Sequence, residues 1–138
     1  MPTILIVDDS PTELYACQKI LEKHGYTVES ASDGESSLER AQQVKPDLIL
    51  MDVVMPGMNG FQATRQLNKN ADTAKIPVII ITTKDQETDR VWGLRQGARD
   101  YIVKPVKEND LISRVQSVLL TRPFLSSPMP EPSTTRAG

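Results

Sequence analysis

Four short apolar runs in the sequence each end in residues that can take part in chemistry. The runs are Ile4–Val7, Leu48–Met51, Val78–Ile81 and Tyr101–Val103. The residues that follow them are Asp8 with Asp9, Asp52, Thr82 with Thr83, and Lys104 with Pro105. Apolar runs rich in β-branched residues are typical of parallel strands buried on both faces, and the carboxyl ends of such strands share one edge of a sheet. We therefore predict a crevice that collects three carboxylates, two hydroxyls and one ammonium group.

This set of groups suits a divalent cation and a phosphoryl group. Carboxylates held close together repel one another, and Mg²⁺ relieves that repulsion while leaving sites for phosphate oxygens. A carboxylate beside such a cation can attack phosphorus and form an aspartyl phosphate, while a lysine and a hydroxyl contact the phosphoryl oxygens. Each motif alone has a structural explanation as a turn, a helix cap or a loop. Their conjunction at four strand ends favours chemistry over those explanations.

The segments between the apolar runs have helical periodicity. Helices are predicted over Pro11–His24, from Ser32 or Asp33 to a stop at Pro46, over Gly60–Asn68, over Asp85–Gln96 and over Glu108–Thr121. Ser10 is expected to cap the first helix, with Glu13 completing a capping box, and Tyr26–Ala31 alternates like an edge strand. Strands alternating with helices predict an α/β fold, a doubly wound five-stranded parallel sheet in the order 2-1-3-4-5. That order places the strand before Asp8 next to the strand before Asp52.

Composition limits the remaining classes of protein. The 138 residues predict one folded domain over 1–121 and a disordered Pro/Ser/Thr-rich tail over 122–138. The net charge of -2 and the lack of a basic helix argue against a nucleic-acid partner. The single cysteine, Cys17, fits a buried small side chain in a reducing compartment. No apolar stretch approaches the roughly 20 residues of a membrane span, so we expect a cytoplasmic protein without membrane insertion.

The order of these motifs resembles the CheY-like receiver domain of two-component response regulators, over residues 3 to about 121. The matching parts are Asp8-Asp9, the segment Met51–Gly60, Thr82, Tyr101 and Lys104-Pro105. The resemblance implies a flavodoxin-like receiver fold in which Asp52 is the phosphoacceptor and Lys104 balances the phosphoryl charge. It implies that Asp9, Asp52 and the backbone carbonyl of Val54 contact Mg²⁺, with Asp8 acting largely through water. It also implies a cis peptide bond between Lys104 and Pro105.

The same resemblance implies a switch built from Thr82 and Tyr101. Thr82 should move to bond a phosphoryl oxygen and so vacate space for Tyr101, a half-exposed aromatic whose alternative role is to pack on a helix. The surface made by the fourth helix, the fifth strand and the fifth helix would then change and contact an output protein. Trp92, on the fourth helix, is either an anchor for that partner or a side chain that covers its own helix.

Three longer segments are similar to the PilH-type regulators of type IV pilus twitching motility, namely Asp8–Glu13, Asn59–Leu67 and Thr82–Asp89. The similarity implies a stand-alone receiver in a chemotaxis-like phosphorelay, served by a CheA-like histidine kinase. Such a chain either contacts an output protein or drains phosphate from its kinase. A Mg²⁺-dependent aspartyl-phosphate phosphatase is a further alternative. The adjacent acids after the first strand and the lack of a cap insertion argue against it, so we expect a phosphoacceptor rather than an enzyme.

Thr83 departs from the pattern of the family. The position after the switch hydroxyl is often small in receivers, and a β-branched residue there should narrow the approach to the phosphoryl site. We predict that Thr83→Ala alters autophosphorylation by small phosphodonors.

Overall fold

The computed structural model describes residues 1–126, and for residues 122–126 it describes the backbone alone. Its centre is a single sheet of five parallel strands in the order β2-β1-β3-β4-β5. The strands are β1 (Thr3–Val7), β2 (Thr27–Ala31), β3 (Leu48–Met51), β4 (Val78–Thr82) and β5 (Asp100–Val103). The predicted doubly wound sheet is confirmed, and β1 lies directly beside β3.

Helices follow each of the strands. They are α1 (Pro11–Lys23), α2 (Gly34–Val44), α3 (Gly60–Lys69), α4 (Glu87–Arg95) and α5 (Glu108–Ser126). Most helix boundaries lie within one residue of the prediction, and two differ by more. α4 begins later than Asp85 because the N–H of Gln86 donates to Asp89 Oδ2 (3.3 Å), which fixes the helix start there. α5 continues beyond Thr121 to Ser126. A proline in this stretch removes one backbone N–H donor and disfavours the helix, but it does not have to end it.

The predicted tail therefore begins inside a helix, and the rest of it, residues 127–138, lies outside the described residues. No helix within residues 1–126 has both the length and the apolar character needed to cross a membrane.

Two apolar layers cover the two faces of the sheet. On one face, Leu5 of β1 packs in a cluster with Phe61 and Leu67 of α3. On the opposite face, Ile4 packs in a cluster that includes Leu111 of α5. Neighbouring residues of β1 thus point to opposite layers, as strand geometry requires. Burial of each such side chain stabilises the fold by about 1.5–3 kcal/mol, so the strand ends that carry the polar residues are held firmly.

The start of α1 differs from the predicted capping box in one respect. Ser10 caps the helix as predicted, since its Oγ accepts the N–H of Glu13 at 3.3 Å. The N–H of Ser10, however, donates to Asp8 Oδ1 at 2.9 Å. The Glu13 carboxylate contacts Lys104 instead of turning back to Ser10. The first turn of α1 is therefore tied to the end of β1 through Asp8.

Candidate functional site

Three carboxylates surround the ammonium group of Lys104 at the carboxyl edge of the sheet. Lys104 Nζ lies 3.1 Å from Asp8 Oδ2 and 3.5 Å from Asp52 Oδ2, and it also contacts the carboxylate of Glu13. The side chains of Asp8, Asp52 and Lys104 are largely buried, whereas that of Glu13 is about half exposed. A lysine ammonium has three N–H donors, so these three carboxylates can satisfy all of them.

The sheet topology brings these residues together from distant parts of the chain. Val7 of β1 pairs with Met51 of β3, so Asp8 and Asp52 leave the sheet side by side. The N–H of Asp52 donates to the carbonyl of Val7 at 2.9 Å and continues this pairing by one step. Lys104 follows β5, where its own N–H donates to the carbonyl of Thr82 at 2.8 Å. The peptide bond between Lys104 and Pro105 is cis.

Asp52 lies in an environment that disfavours its charge. Burial raises the pKa of its carboxyl group above the ordinary range, Lys104 opposes that shift, and the neighbouring Asp8 carboxylate adds to it. One oxygen, Oδ1, accepts the N–H of Val53 at 2.8 Å, which leaves Oδ2 on the side of Lys104. A carboxylate that is poorly solvated and held near a cation is suited to nucleophilic attack.

The raised pKa of Asp52 predicts the stability of the Asp52→Asn variant. Because the folded state favours the protonated carboxyl, the wild-type side chain begins to cost stability as the pH rises above its unfolded-state pKa, and the full cost is present above its raised folded pKa. We expect the neutral asparagine side chain to raise the melting temperature by a few degrees at about pH 7. The gain should shrink as the pH falls through the raised folded pKa of Asp52, because the wild-type carboxyl then becomes neutral in the folded state as well. Thermal unfolding followed by circular dichroism across this range measures it, and a variant less stable at neutral pH would contradict it.

Lys104 remains charged in this setting. Desolvation by burial lowers its pKa, but the hydrogen bond to Glu13 and the charges of Asp52 and Asp8 outweigh that effect, so the net shift is upward. The positive charge is therefore present at the site over the whole physiological pH range. It is available to any anionic group that reaches Asp52.

The carboxylates also offer the oxygen ligands that a hard divalent cation prefers. Oxygens of Asp8, Glu13 and Asp52 lie within 4.8 Å of one another. Carboxylate groups at this spacing can share one cation of the Mg²⁺ or Ca²⁺ type. Asp9 is exposed and is not one of these three. The predicted metal contacts of Asp9 and of the Val54 carbonyl stay predictions.

The two predicted switch residues are joined through one backbone unit. Thr82 is fully buried, and its Oγ1 accepts the N–H of Lys84 at 3.3 Å. The hydroxyl of Tyr101 donates to the carbonyl of the same Lys84 at 2.9 Å. Tyr101 is only 3% exposed, in contrast to the half-exposed position expected from the sequence. Its ring fits beneath α4 because Gly93 has no side chain: a Cβ there would lie 3.1 Å from the ring.

A cavity of about 450 Å³ adjoins the cluster. Its charged lining residues are Asp8, Glu13, Asp52 and Lys104, and Thr83 and Cys17 also line it. Burial raises the pKa of the Cys17 thiol to about 12, and the Asp8 carboxylate adds to that shift. The thiol is therefore protonated at neutral pH, which agrees with a packing role for Cys17.

Glu13 belongs to this cluster, although the sequence patterns do not predict it there. They predict a helix-cap role for its carboxylate, which instead lies on Lys104. The sequence does contain a signal for this position, because helical side chains lean towards the helix N-terminus. An acid in the first turn of α1 therefore leans back towards the end of β1, where Asp8 lies.

Comparisons with known proteins bear on this site. The sequence matches the family model of the response regulator receiver domain over residues 4–116, a segment that includes all four strand ends. It is 62% identical over 119 residues to protein PilH of Pseudomonas aeruginosa, and the alignment covers 86% of this chain and 98% of PilH.

Solved structures of receiver domains are also similar to this chain. A CheY-like response regulator receiver domain protein from Methanospirillum hungatei matches with a TM-score of 0.84 and 29% identity, over 91% of this chain and 99% of that one. The receiver domain of the sensor histidine kinase PA1611 from Pseudomonas aeruginosa matches with a TM-score of 0.80 and 30% identity, over 86% and 97%. That structure is described with a magnesium ion coordinated in its active site cleft.

Proposed function

Since the chain belongs to the response regulator receiver family, we propose that it accepts a phosphoryl group on Asp52 from the phosphohistidine of a CheA-like histidine kinase. The observation that carries this proposal is the position of Asp52 Oδ2, buried and 3.5 Å from the ammonium of Lys104. Because Oδ1 is engaged by the N–H of Val53, Oδ2 is the oxygen that we expect to attack phosphorus.

The transfer exchanges one bond to phosphorus for another. A bond forms between Asp52 Oδ2 and phosphorus while the bond from phosphorus to the kinase imidazole nitrogen breaks, and the imidazole keeps the electron pair and takes up a proton. Lys104 neutralises charge on the phosphoryl oxygens, and its contact with Asp8 holds it at the site beforehand. Asp9, Asp52 and the Val54 carbonyl would hold Mg²⁺, with Asp8 acting through water, and the bound cation would supply further positive charge at the phosphoryl oxygens.

The product of this reaction is the phosphorylated chain itself, which acts as a signal, and no metabolite is released. Receiver-domain proteins are signalling proteins and not classical enzymes, and we propose that the chemistry of this chain is limited to its own phosphorylation and slow dephosphorylation. The single cysteine outside any disulfide fits a reducing compartment, so we place the exchange in the cytoplasm.

The switch in this proposal runs through the Lys84 peptide unit. When Thr82 Oγ1 turns to a phosphoryl oxygen, the N–H of Lys84 loses its acceptor. The carbonyl of Lys84 holds the hydroxyl of Tyr101, so a rotation of this unit alters the packing of Tyr101 beneath α4. The α4-β5-α5 surface then changes as a two-state element biased by one local bond.

Exposed apolar side chains support the view that this surface contacts an output protein, rather than the view that the chain only drains phosphate from its kinase. On α4, Val91, Trp92 and Leu94 are 42%, 49% and 37% exposed, and Val103 at the end of β5 is 42% exposed. Large apolar groups on a surface that responds to the site are suited to anchoring a partner protein. The similarity to PilH supports type IV pilus twitching motility as the pathway.

The proposal is tested by incubating the chain with Mg²⁺ and acetyl phosphate and measuring its intact mass. We expect a mass increase of one phosphoryl group, lost on removal of the metal by chelation. An unchanged mass with acetyl phosphate, and again with a phosphorylated CheA-like kinase, would contradict the proposal.

Thr83→Ala is expected to accelerate phosphorylation by small donors. Thr83 lies on the wall of the cavity that contains Asp52 and Lys104, and loss of its γ atoms widens the approach to Oδ2. We expect a rise of about threefold, equivalent to about 0.7 kcal/mol of activation free energy. The initial rate with acetyl phosphate measures it, with Thr88→Ala on the exposed side of α4 as the matched control. Equal rates in wild type and Thr83→Ala would overturn the steric explanation.

A further inference from the structure

Glu13 lies at the rim of the site, outside the other two carboxylates. Its side chain is 49% exposed, against 8% for Asp8 and 10% for Asp52. A phosphodonor that approaches Asp52 from solvent therefore encounters the Glu13 carboxylate before it reaches the buried cluster. Lys104 is 14% exposed and contacts Glu13 directly, so this rim charge is placed beside the cation that the donor needs.

The backbone at the start of α1 fixes the position of Glu13. Its N–H donates to Ser10 Oγ, and the N–H of Ser10 donates to Asp8 Oδ1. This chain of two hydrogen bonds ties the first turn of α1 to the acidic residue at the end of β1. Glu13 is thus held at both ends: Ser10 accepts its backbone N–H, and its carboxylate contacts Lys104.

We propose that Glu13 is a specificity-determining residue that disfavours small, highly charged phosphodonors. The inference rests on the proposed phosphorylation of Asp52. A donor must bring its phosphoryl oxygens to Lys104, where Glu13 already occupies one of the three N–H groups. Its negative charge also repels the incoming anion, and the repulsion scales with the charge of the donor.

A kinase phosphohistidine is less affected by this charge. Docking of the kinase domain holds the phosphoryl group at the site with a high effective concentration, so electrostatic repulsion during diffusion matters less. A free dianion in solution has no such docking energy. Glu13 would therefore keep the resting protein from being phosphorylated by anionic metabolites while leaving the kinase route open.

The test compares two small donors of different charge on wild type and Glu13→Gln. Acetyl phosphate is a dianion near neutral pH and phosphoramidate carries less charge. With Mg²⁺ saturating for each variant, we expect Glu13→Gln to raise the second-order rate constant for acetyl phosphate by about fivefold, and that for phosphoramidate by less. The gain should diminish with added salt, because screening weakens interactions of exposed charges. Glu22→Gln, which removes an exposed charge elsewhere on α1, is the matched control.

A second variant keeps the inference open to refutation if Glu13→Gln alters the fold. Glu13→Asp retains the charge. The ratio of its rate constant for acetyl phosphate to that for phosphoramidate should therefore stay near the wild-type ratio. Equal gains for both donors, a gain independent of salt, or a Glu13→Asp ratio equal to that of Glu13→Gln would each overturn the assignment. Absence of labelling in the wild type would instead refute the phosphoacceptor function itself.

Discussion

Replacing Asp52 by asparagine should abolish the phosphoryl mass shift that Mg²⁺ and acetyl phosphate produce in the wild type. A neutral amide oxygen lacks the negative charge of a carboxylate and is a much weaker nucleophile, so the bond to phosphorus cannot form at a useful rate. The change is nearly isosteric, and the amide retains an oxygen that can accept the N–H of Val53 as Asp52 Oδ1 does. The site therefore keeps its shape while it loses its nucleophile, and intact mass spectrometry should detect the unmodified chain alone.

Two comparisons give this result its meaning. Asp72→Asn alters an exposed aspartate in the turn region after α3, and that variant should be labelled like the wild type. The neighbouring carboxylates of Asp8 and Glu13 remain in the Asp52→Asn variant, within reach of Lys104. A phosphoryl group that persists in that variant would place the acceptor on a residue other than Asp52 and refute the assignment.

The strand ends could be predicted from the sequence because the signals that define them are local. Apolar runs of three or four residues, followed at once by acids, hydroxyls or a lysine, indicate both a strand and the end that carries polar groups. The doubly wound order 2-1-3-4-5, one of the common arrangements for such a pattern, then places the first and third strands side by side. Asp8, Asp52 and Lys104 could accordingly be grouped without coordinates.

Glu13 and Tyr101 could not be placed in this way because tertiary contacts override their local preferences. The local environment of Glu13 favours a helix cap, whereas its partner Lys104 lies 91 positions away in the sequence. Tyr101 lies on an edge strand, which suggested partial exposure. The space that buries its ring depends on the absence of a side chain at Gly93 of α4. A glycine within a helical pattern does not reveal which neighbour uses that space.

Gly60→Ala should lower the free energy of unfolding by about 3 kcal/mol, the upper range for overpacking a well-packed site. A Cβ on Gly60 would lie 2.0 Å from the backbone carbonyl oxygen of Asp52 and 2.8 Å from Val53 Cα. These are backbone atoms, which cannot rotate aside as a flexible side chain can. The N–H of Gly60 also donates to the carbonyl of Val53 at 3.0 Å, so α3 begins in direct contact with the segment that carries Asp52.

Relief of this contact requires α3 to move away from the end of β3, which would shift Asp52 relative to Lys104 as well. We therefore expect slower phosphorylation in Gly60→Ala together with a lower urea midpoint. Gly57→Ala is the matched control, because nothing lies within 4 Å of its Cβ position and only its φ of +72° is unfavourable. A left-handed alanine costs about 1–2 kcal/mol. Urea denaturation of both variants separates the two causes. A Gly60→Ala variant no less stable than Gly57→Ala would mean that α3 can move without disturbing the segment that carries Asp52.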